Sequence, residues 1–409
     1  MPPLRIGLLG HGTVGGAFAQ LLSVQADRVT ELTGRTPEIV GVLTRSRGDF
    51  DEILEQSDLI VELIGGVDDA RRYVRAALQS GRDVVTANKQ LLSRHGEELW
   101  ELAREHGRAL GFEAAVAGVV PVVRVLRESL RGTRIERVHG IVNGTTNFIL
   151  SEMTRTGGSY EVALAEAQRL GYAEADPSED VGGADAAAKM AILARLAFDA
   201  PVRIEDVRYE GIEHITPDDI AYARELGLAL KLIGTAERID GGISVRVHPA
   251  FLYAAHPLAT IGGSFNAVTV EAPAITEITM SGPGAGGVQT ASAVLADVIA
   301  AATGGARAVG PIPHAVRLPI VEDVTSGFYL HLRVVDRPGV LAEIAQCLGD
   351  EGASIKSVVQ RGLGEHAQLV MVIHPLLESR VRSALDRIGK IDAVQSRPHA
   401  IRVIEEEFE

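Results

Sequence analysis

Two stretches of this chain carry residues whose types and spacing can do chemistry. The first is "GHGTVG", in which Gly10, Gly12 and Gly15 have the G-x-G-x-x-G spacing, with Thr13 and Val14 between the last two glycines. It follows a short apolar run and opens a helical pattern, so backbone N–H groups at the helix start can meet a pyrophosphate while the missing side chains let it approach. The second is "GADAAAKMAILARLAF", positions 183–198, in which Asp185 and Lys189 interrupt an apolar run. Four residues apart, they share one helix face. Most such pairs are solvated and of small energetic weight. A surface helix, however, needs a polar stripe, and only Arg195 joins them here, so a solvated pair and a buried functional pair are both open at this point.

Further residues stand where a nucleotide-binding sheet presents its ligands. The second apolar run ends in "VLTRS", with no Asp or Glu to hold ribose hydroxyls; Thr44, Arg45, Ser46 and Arg47 could instead take a ribose phosphate, which favours NADP, with NAD possible as well. At the end of the fourth run, "VVTANK" puts Thr86, Asn88 and Lys89 outside the carboxyl end of a strand. Lys89 there could reach a nicotinamide or a substrate carboxylate, or be an exposed lysine before a helix.

These residues need a frame. From Leu4, short apolar runs alternate with helical stretches such as "DDARRYVRAALQSG" and "HGEELWELAREHG", the rhythm of a doubly wound parallel α/β sheet of Rossmann type. We expect this nucleotide-binding domain over 1–132, with a return segment at 285–305. From about Arg134 the pattern turns to an α+β region with an antiparallel sheet, the catalytic and dimerisation domain expected at 133–284. The Gly- and Pro-rich "TGGARAVGPIPHAV" argues for a linker, 306–326. Beyond it, 327–409 reads as a separate ferredoxin-like βαββαβ unit.

Composition narrows the function classes. With 409 residues and 46% apolar content the chain can build two or three cores. A net charge of −14 with scattered basic residues argues against nucleic acid as a partner. There is no long apolar run for a membrane and no leader pattern, so a cytoplasmic protein is expected. The single cysteine, Cys347, excludes an internal disulfide and reads as a small buried hydrophobe. The twelve histidines are dispersed, which leaves no recognisable zinc or iron site.

With "IGLLGHGTVG", "VELIGG", "VVTANK", "EAAVAGVVP", "NGTTNFIL", "AEAQRLGYAEADPSEDVGGADAAAKMAILARLAF" and "SGPGAGG" in this order, residues 4–303 resemble the homoserine dehydrogenases. The C-terminal "VVDRPGVLAEIAQCLGDEGASI" resembles an ACT domain. No kinase portion precedes the dehydrogenase region, so the monofunctional form is expected. The resemblance implies reversible, NAD(P)H-dependent reduction of L-aspartate 4-semialdehyde to L-homoserine, on the route to threonine and methionine. It implies Lys189 as proton donor to the forming alkoxide, a role a positioned ammonium can fill, with Asp185 holding the lysine or water. It gives Glu174 to the substrate α-ammonium, with Asp180 in support and Thr145 lining the cleft. Gly284 would touch the cofactor. Glu113, with the carbonyls of Val116, Gly118 and Val120, would hold a monovalent cation, Na⁺ by family habit. An amino-acid effector, threonine in many relatives, would meet the "DRPGVL" turn at Asp336 and Gly339, and a homodimer or homotetramer is expected. The stretch between "TRSRGDF" and "DLIVELIGG" is short for the family, trimming the adenosine end.

Two rivals compete. An aspartate-semialdehyde dehydrogenase needs a cysteine nucleophile, and Cys347 lies in the C-terminal unit, far along the chain from the glycine loop. A non-catalytic sensor of nucleotide and amino acid would have no use for Glu174, Asp185 and Lys189 together.

Overall fold

The short N-terminal apolar runs form strands because helices on both faces bury the inner ones, Leu59–Glu62 fully and Asp83–Thr86 nearly so, which suits short Val- and Ile-rich segments. The computed structural model describes residues 2–284, 286–304, 318–362 and 367–404. In it β1 (Pro3–Leu9), β2 (Thr36–Leu43), β3 (Leu59–Glu62), β4 (Asp83–Thr86) and β5 (Leu110–Gly111) pair in parallel in the order β2-β1-β3-β4-β5. Chain order reverses between β1 and β3, and such a switch point opens a ligand crevice at the strands' carboxyl ends. One face is covered by helix Thr13–Val24 and by the returning helix Gly287–Ala302, which meet through Phe18, Leu22, Ala291, Val294 and Val298. The opposite face is covered by helices Asp68–Gln79 and Lys89–Glu105 through Val74, Leu78, Leu92 and Leu99.

A second sheet of ten strands carries the rest. It is built from β6 (Arg137–Ile141), β7 (Arg208–Tyr209), β8 (Leu228–Ile239), β9 (Gly242–Tyr253), β10 (Phe265–Ala272), β11 (Thr276–Pro283), β12 (Thr325–Val334), β13 (Ile355–Arg361), β14 (Ala367–Leu377) and β15 (His399–Ile404). Its order is β11-β10-β6-β8-β9-β15-β12-β14-β13, with the short β7 beside β9. Helix Ala184–Phe198 lies on the β6–β8–β9 part, and it sits close because the sheet has glycine beneath it: a Cβ at Gly234 would come 2.3 Å from Met190 Cγ. The helix is buried over most of its length, Asp185 and Arg195 included.

Within that sheet the last four strands have the ferredoxin-like order β15-β12-β14-β13, packed on helices Val340–Asp350 and Glu378–Ile388 through Leu330, Leu332, Ile344, Leu348, Met371, Val381 and Ile388. The expected C-terminal unit is joined to the rest of the second sheet by one strand pair. β15 pairs in parallel with β9, Arg402 beside Ala250 and Val403 beside Phe251, and the rings of Phe251 and Tyr329 meet at 4.8 Å. The physical reason is that each strand would otherwise leave a row of unpaired N–H and C=O groups at an edge. Periodicity cannot reveal such a junction.

Of the expected linker, 306–326, only the part from Leu318 is among the described residues. Residues 305–317 lie outside the described residues, as do Ala285 in the return segment and 405–409 at the end. The chain from Leu318 onward is tied down: Ile243 N donates to Pro319 O at 2.9 Å and Val321 N to Ile243 O at 2.8 Å, while Thr325 and Ser326 already belong to β12. Cys347 is partly buried on helix Val340–Asp350. No helix among the described residues is long and apolar enough to cross a membrane.

Candidate active site

Asp185 sits in the first turn of its helix with its side chain only 3% exposed, and two ammonium groups close on it. Lys189 Nζ donates to Asp185 Oδ2 at 2.8 Å and to the Val142 carbonyl at 2.7 Å. Lys89, the first residue of helix Lys89–Glu105, forms an ion pair with Asp185 Oδ1. The pair is therefore buried, and the open choice between a solvated and an enclosed pair is resolved. Burial alone would raise the Asp185 carboxyl; Lys189 and Lys89 together hold it far below the usual carboxylate range. Burial likewise opposes the charge of Lys89, but Asp185, with Asp180 and Glu179 behind it, keeps its pKa above the ordinary lysine value.

The surrounding polar groups form one network. Asn143 caps helix Gly144–Thr156, its Oδ1 accepting from Thr146 N at 2.8 Å, while its Nδ2 donates to Asp180 Oδ1 at 2.7 Å and to Asp185 Oδ2 at 2.8 Å. Thr145 Oγ1 donates to the Tyr172 carbonyl at 2.7 Å and lies 3.1 Å from Asp180 Oδ2. The structure thus brings together Lys189, Asp185, Lys89, Asp180 and Thr145. Glu174 is different: its side chain is exposed and its carbonyl accepts from Gln168 Nε2 at 3.1 Å.

A chain of contacts joins this cluster to the glycine turn. Gly10 has φ +99°, and a Cβ there would come 2.4 Å from the Leu63 carbonyl. A Cβ at Gly15 would come 2.2 Å from the Gly10 carbonyl, whereas one at Gly12 would meet nothing within 4 Å. The first glycine makes the turn, the third lets helix meet strand, and the second leaves open space where a pyrophosphate can approach. Next to Leu63, Glu62 accepts Ile64 N at 2.9 Å and the Thr86 hydroxyl at 2.5 Å, and Thr86 Oγ1 accepts Asn88 N at 3.0 Å, one residue before Lys89. From the other side the return helix touches the loop: a Cβ at Gly287 would be 3.2 Å from Thr13. Arg45 is exposed in a tight turn after β2, closed by Thr44 N donating to the Arg47 carbonyl at 2.7 Å. Between β2 and β3 a single helix, Phe50–Gln56, spans the short stretch.

At Glu113 the expected ligand set needs refinement. Both of its carboxylate oxygens accept backbone N–H groups, from Val123 and Arg124 at 2.9 Å each, so the carboxylate caps the helical turn at 122–129. Burial, and then the nearby charge of Asp297, push this carboxyl up to about 7. Residues Val116, Gly118 and Val120 are close by in a turn where Ala117 and Gly118 are both left-handed, at φ 58° and 67°. Gly284 backs that turn, since a Cβ at Gly118 would be 2.4 Å from the Gly284 carbonyl. Among the described residues no cluster of three or more His, Cys, Asp or Glu could hold a metal ion. In the C-terminal unit Gly339 is left-handed at φ +96° before helix Val340–Asp350, and Asp336 Oδ1 accepts Gln360 Nε2 at 2.9 Å.

Two residues of the network escape sequence reasoning. Glu62 is fully buried, and burial raises its carboxyl against hydrogen bonds from Thr86, Ile64, Gly65 and Asn88. The signal was an acid ending the buried run "LIVE". Asn143 is the other; an Asn directly before "GTTN" has N-cap character.

Comparison with known proteins gives the family. Residues 10–113 match the NAD-binding domain of homoserine dehydrogenase, 121–299 match homoserine dehydrogenase, and 329–393 match the ACT domain. The homoserine dehydrogenase of Corynebacterium glutamicum is 43% identical, covering 97% of this chain and 95% of that protein. That of Neisseria gonorrhoeae is 38% identical, covering 98% and 99%. Among solved structures, a homoserine dehydrogenase from Thiobacillus denitrificans superposes with a TM-score of 0.93 at 39% identity over 99% of both chains. A hyperthermophilic archaeal homoserine dehydrogenase in complex with NADPH superposes with a TM-score of 0.64 at 27% identity, covering 73% of this chain and 97% of that one. A buried carboxylate held between two lysines and joined to a glycine turn, on a chain so related over its whole length, places the protein in the homoserine dehydrogenase family of NAD(P)-dependent oxidoreductases with a C-terminal ACT domain.

Proposed function

We propose that the protein reduces L-aspartate 4-semialdehyde to L-homoserine with NADPH, reversibly, and serves threonine and methionine formation. The observation that carries this reading is the enclosed Lys189 ammonium, held by Asp185 and the Val142 carbonyl at hydrogen-bond distance. When bound, the reduced nicotinamide supplies the hydride. Charge then builds on the aldehyde oxygen, and Lys189 stabilises it and gives up a proton. Asp185 orients Lys189. Lys89 takes the substrate carboxylate, for which its partial exposure suits it. Glu174 and Asp180 are assigned to the α-ammonium, Glu174 by closing from its exposed position, and Thr145 lines the cleft.

The residues present fit a dinucleotide. Gly12 has open space, Gly10 and Gly15 shape the turn, and Thr13 and Val14 lead its helix. Arg45, exposed beyond β2 with no acid beside it in the "LTRS" turn, would meet a ribose phosphate, so we assign NADP with NAD accepted more weakly. For a monovalent cation, Na⁺ by our assignment, the fit rests on carbonyls of Glu113, Val116, Gly118 and Val120 in the left-handed turn, the Glu113 carboxylate being engaged elsewhere. For an effector amino acid, threonine by our assignment, the exposed Gly339 turn supplies N–H groups that can meet a carboxylate. A homodimer or tetramer in the cytoplasm completes the reading.

The test is the consumption of NADPH by the purified protein with aspartate semialdehyde. Turnover is expected, as is loss of the preference for NADPH over NADH in Arg45→Ala. A protein that binds NADPH yet never turns over would instead favour the non-catalytic sensor.

A further inference from the structure

We propose that Arg195 is a positioning residue: its guanidinium bolts the helix that begins with Lys89 to the helix that carries Asp185 and Lys189. The proposal rests on the reading of Lys89 as the group that takes the substrate carboxylate.

Arg195 is 1% exposed, in the last turn of helix Ala184–Phe198. Its Nη1 donates to the Leu92 carbonyl at 2.6 Å and its Nη2 to the Ser93 carbonyl at 2.9 Å, and its guanidinium lies 5.5 Å from the ring of Trp100. All three partners belong to helix Lys89–Glu105. That helix makes room at Gly96, where a Cβ would come 2.6 Å from Nη1. Burial pushes the guanidinium down to about 10, while Glu97, and then Asp206 and Glu205, support its charge only through space and Arg203 opposes it. Its Nε has no hydrogen-bond partner among the described residues.

A buried charge of this kind is poor evidence of stabilisation, because an apolar side chain of similar volume often serves the fold as well or better. What an apolar side chain cannot do is grip two successive carbonyls with a rigid fork. Those carbonyls lie one helical turn, about 5 Å, beyond Lys89. The two helices also meet at the Lys89–Asp185 ion pair, but a substrate carboxylate competes for that ammonium. While it does, Arg195 keeps the two helices in register.

The experiment compares Arg195→Met, Arg195→Lys and Gly96→Ala with the wild type. Arg195→Met is expected to melt at or above the wild-type Tm, keep its KM for NADPH, and lose about tenfold in kcat/KM for aspartate semialdehyde, within the roughly hundredfold that a misplacement of about 1 Å can cost. Gly96→Ala should shift kinetics the same way, and Arg195→Lys should recover part of the loss. Amide hydrogen exchange over residues 89–96 should quicken in Arg195→Met, a readout independent of turnover. Wild-type kcat/KM and unchanged exchange in Arg195→Met overturn the proposal, as does a lowered Tm with every kinetic constant falling in proportion. A wild type inactive on the semialdehyde refutes the functional reading, while the exchange data still decide whether the bolt exists.

Discussion

Replacing Asp185 by Asn removes the carboxylate that lies between two ammonium groups. Across one carboxylate the two nitrogens are about 5 Å apart, and at an effective dielectric of about 20 their bare repulsion is about 3 kcal/mol. The neutral amide makes matters worse in either orientation, because Asn143 Nδ2 and Lys189 Nζ both donate to one oxygen of the native residue and Lys89 to the other. One set of donors must then face an NH₂ group. The site answers by moving Lys89 outward or by shedding its proton, since burial opposes its charge once Asp185 no longer supports it. A loss of about 3 kcal/mol in the transition state corresponds to roughly a hundredfold fall in kcat/KM. It should appear with aspartate semialdehyde and NADPH, with the alkaline limb of the pH profile moved to lower pH. The double variant with Lys89→Met removes the repulsion, so the cycle should give a coupling of about 2 to 3 kcal/mol. Activity of Asp185→Asn within about twofold of wild type, or strict additivity in the cycle, would refute the reasoning.

The glycine turn predicts a split: Gly12→Ala should fold normally but weaken NADPH binding, measured by titration, whereas Gly15→Ala should lower the Tm, because its Cβ would press on the Gly10 carbonyl at 2.2 Å. At the junction with the C-terminal unit, His331 meets Asp219 at 2.8 Å and Gln368 at 2.9 Å, with His399, Tyr222 and Tyr329 around them. Burial disfavours the charge of His331, but Asp219 and Gln368 raise its pKa overall; burial also opposes Asp219, yet its hydrogen bonds hold it well below the usual range. The His331 contribution is therefore full below about pH 6.5 and fades as pH rises through the raised folded value, while that of Asp219 is full above about pH 4 and fades in acid. The Tm difference between wild type and His331→Phe should accordingly shrink as pH rises from about 6.5, the unfolded value, and a difference constant with pH would contradict the assignment.

How much could be read from the chain alone depended on whether the cause was local. Alternating apolar runs and helical stretches are local, so β1 to β5 and the returning helix Gly287–Ala302 were legible, as was the glycine turn at Gly10 to Gly15. The order of the last four strands followed from the βαββαβ pattern. Their pairing with β9 did not, because it depends on two edges, 150 residues apart in the chain, meeting in space. In the site, the i, i+4 spacing announced Asp185 and Lys189, but only packing decides that they are enclosed and that Lys89 closes the same carboxylate from another helix. Arg195 reads as an ordinary charge in the last turns of an apolar helix. Its meaning lies in Gly96, Leu92 and Ser93, a hundred positions earlier. Glu113 shows the reverse case, a site residue expected as a cation ligand whose carboxylate the fold commits to a helix end.

The central claim is that the Lys189 ammonium delivers the proton to the nascent alkoxide. The most direct measurement is the single-turnover rate of Lys189→Met with NADPH prebound and saturating aspartate semialdehyde. The account predicts unchanged NADPH binding and a rate lower by about 10²- to 10⁴-fold, the range of general acid catalysis. A variant that binds NADPH normally and turns over at the wild-type rate contradicts it.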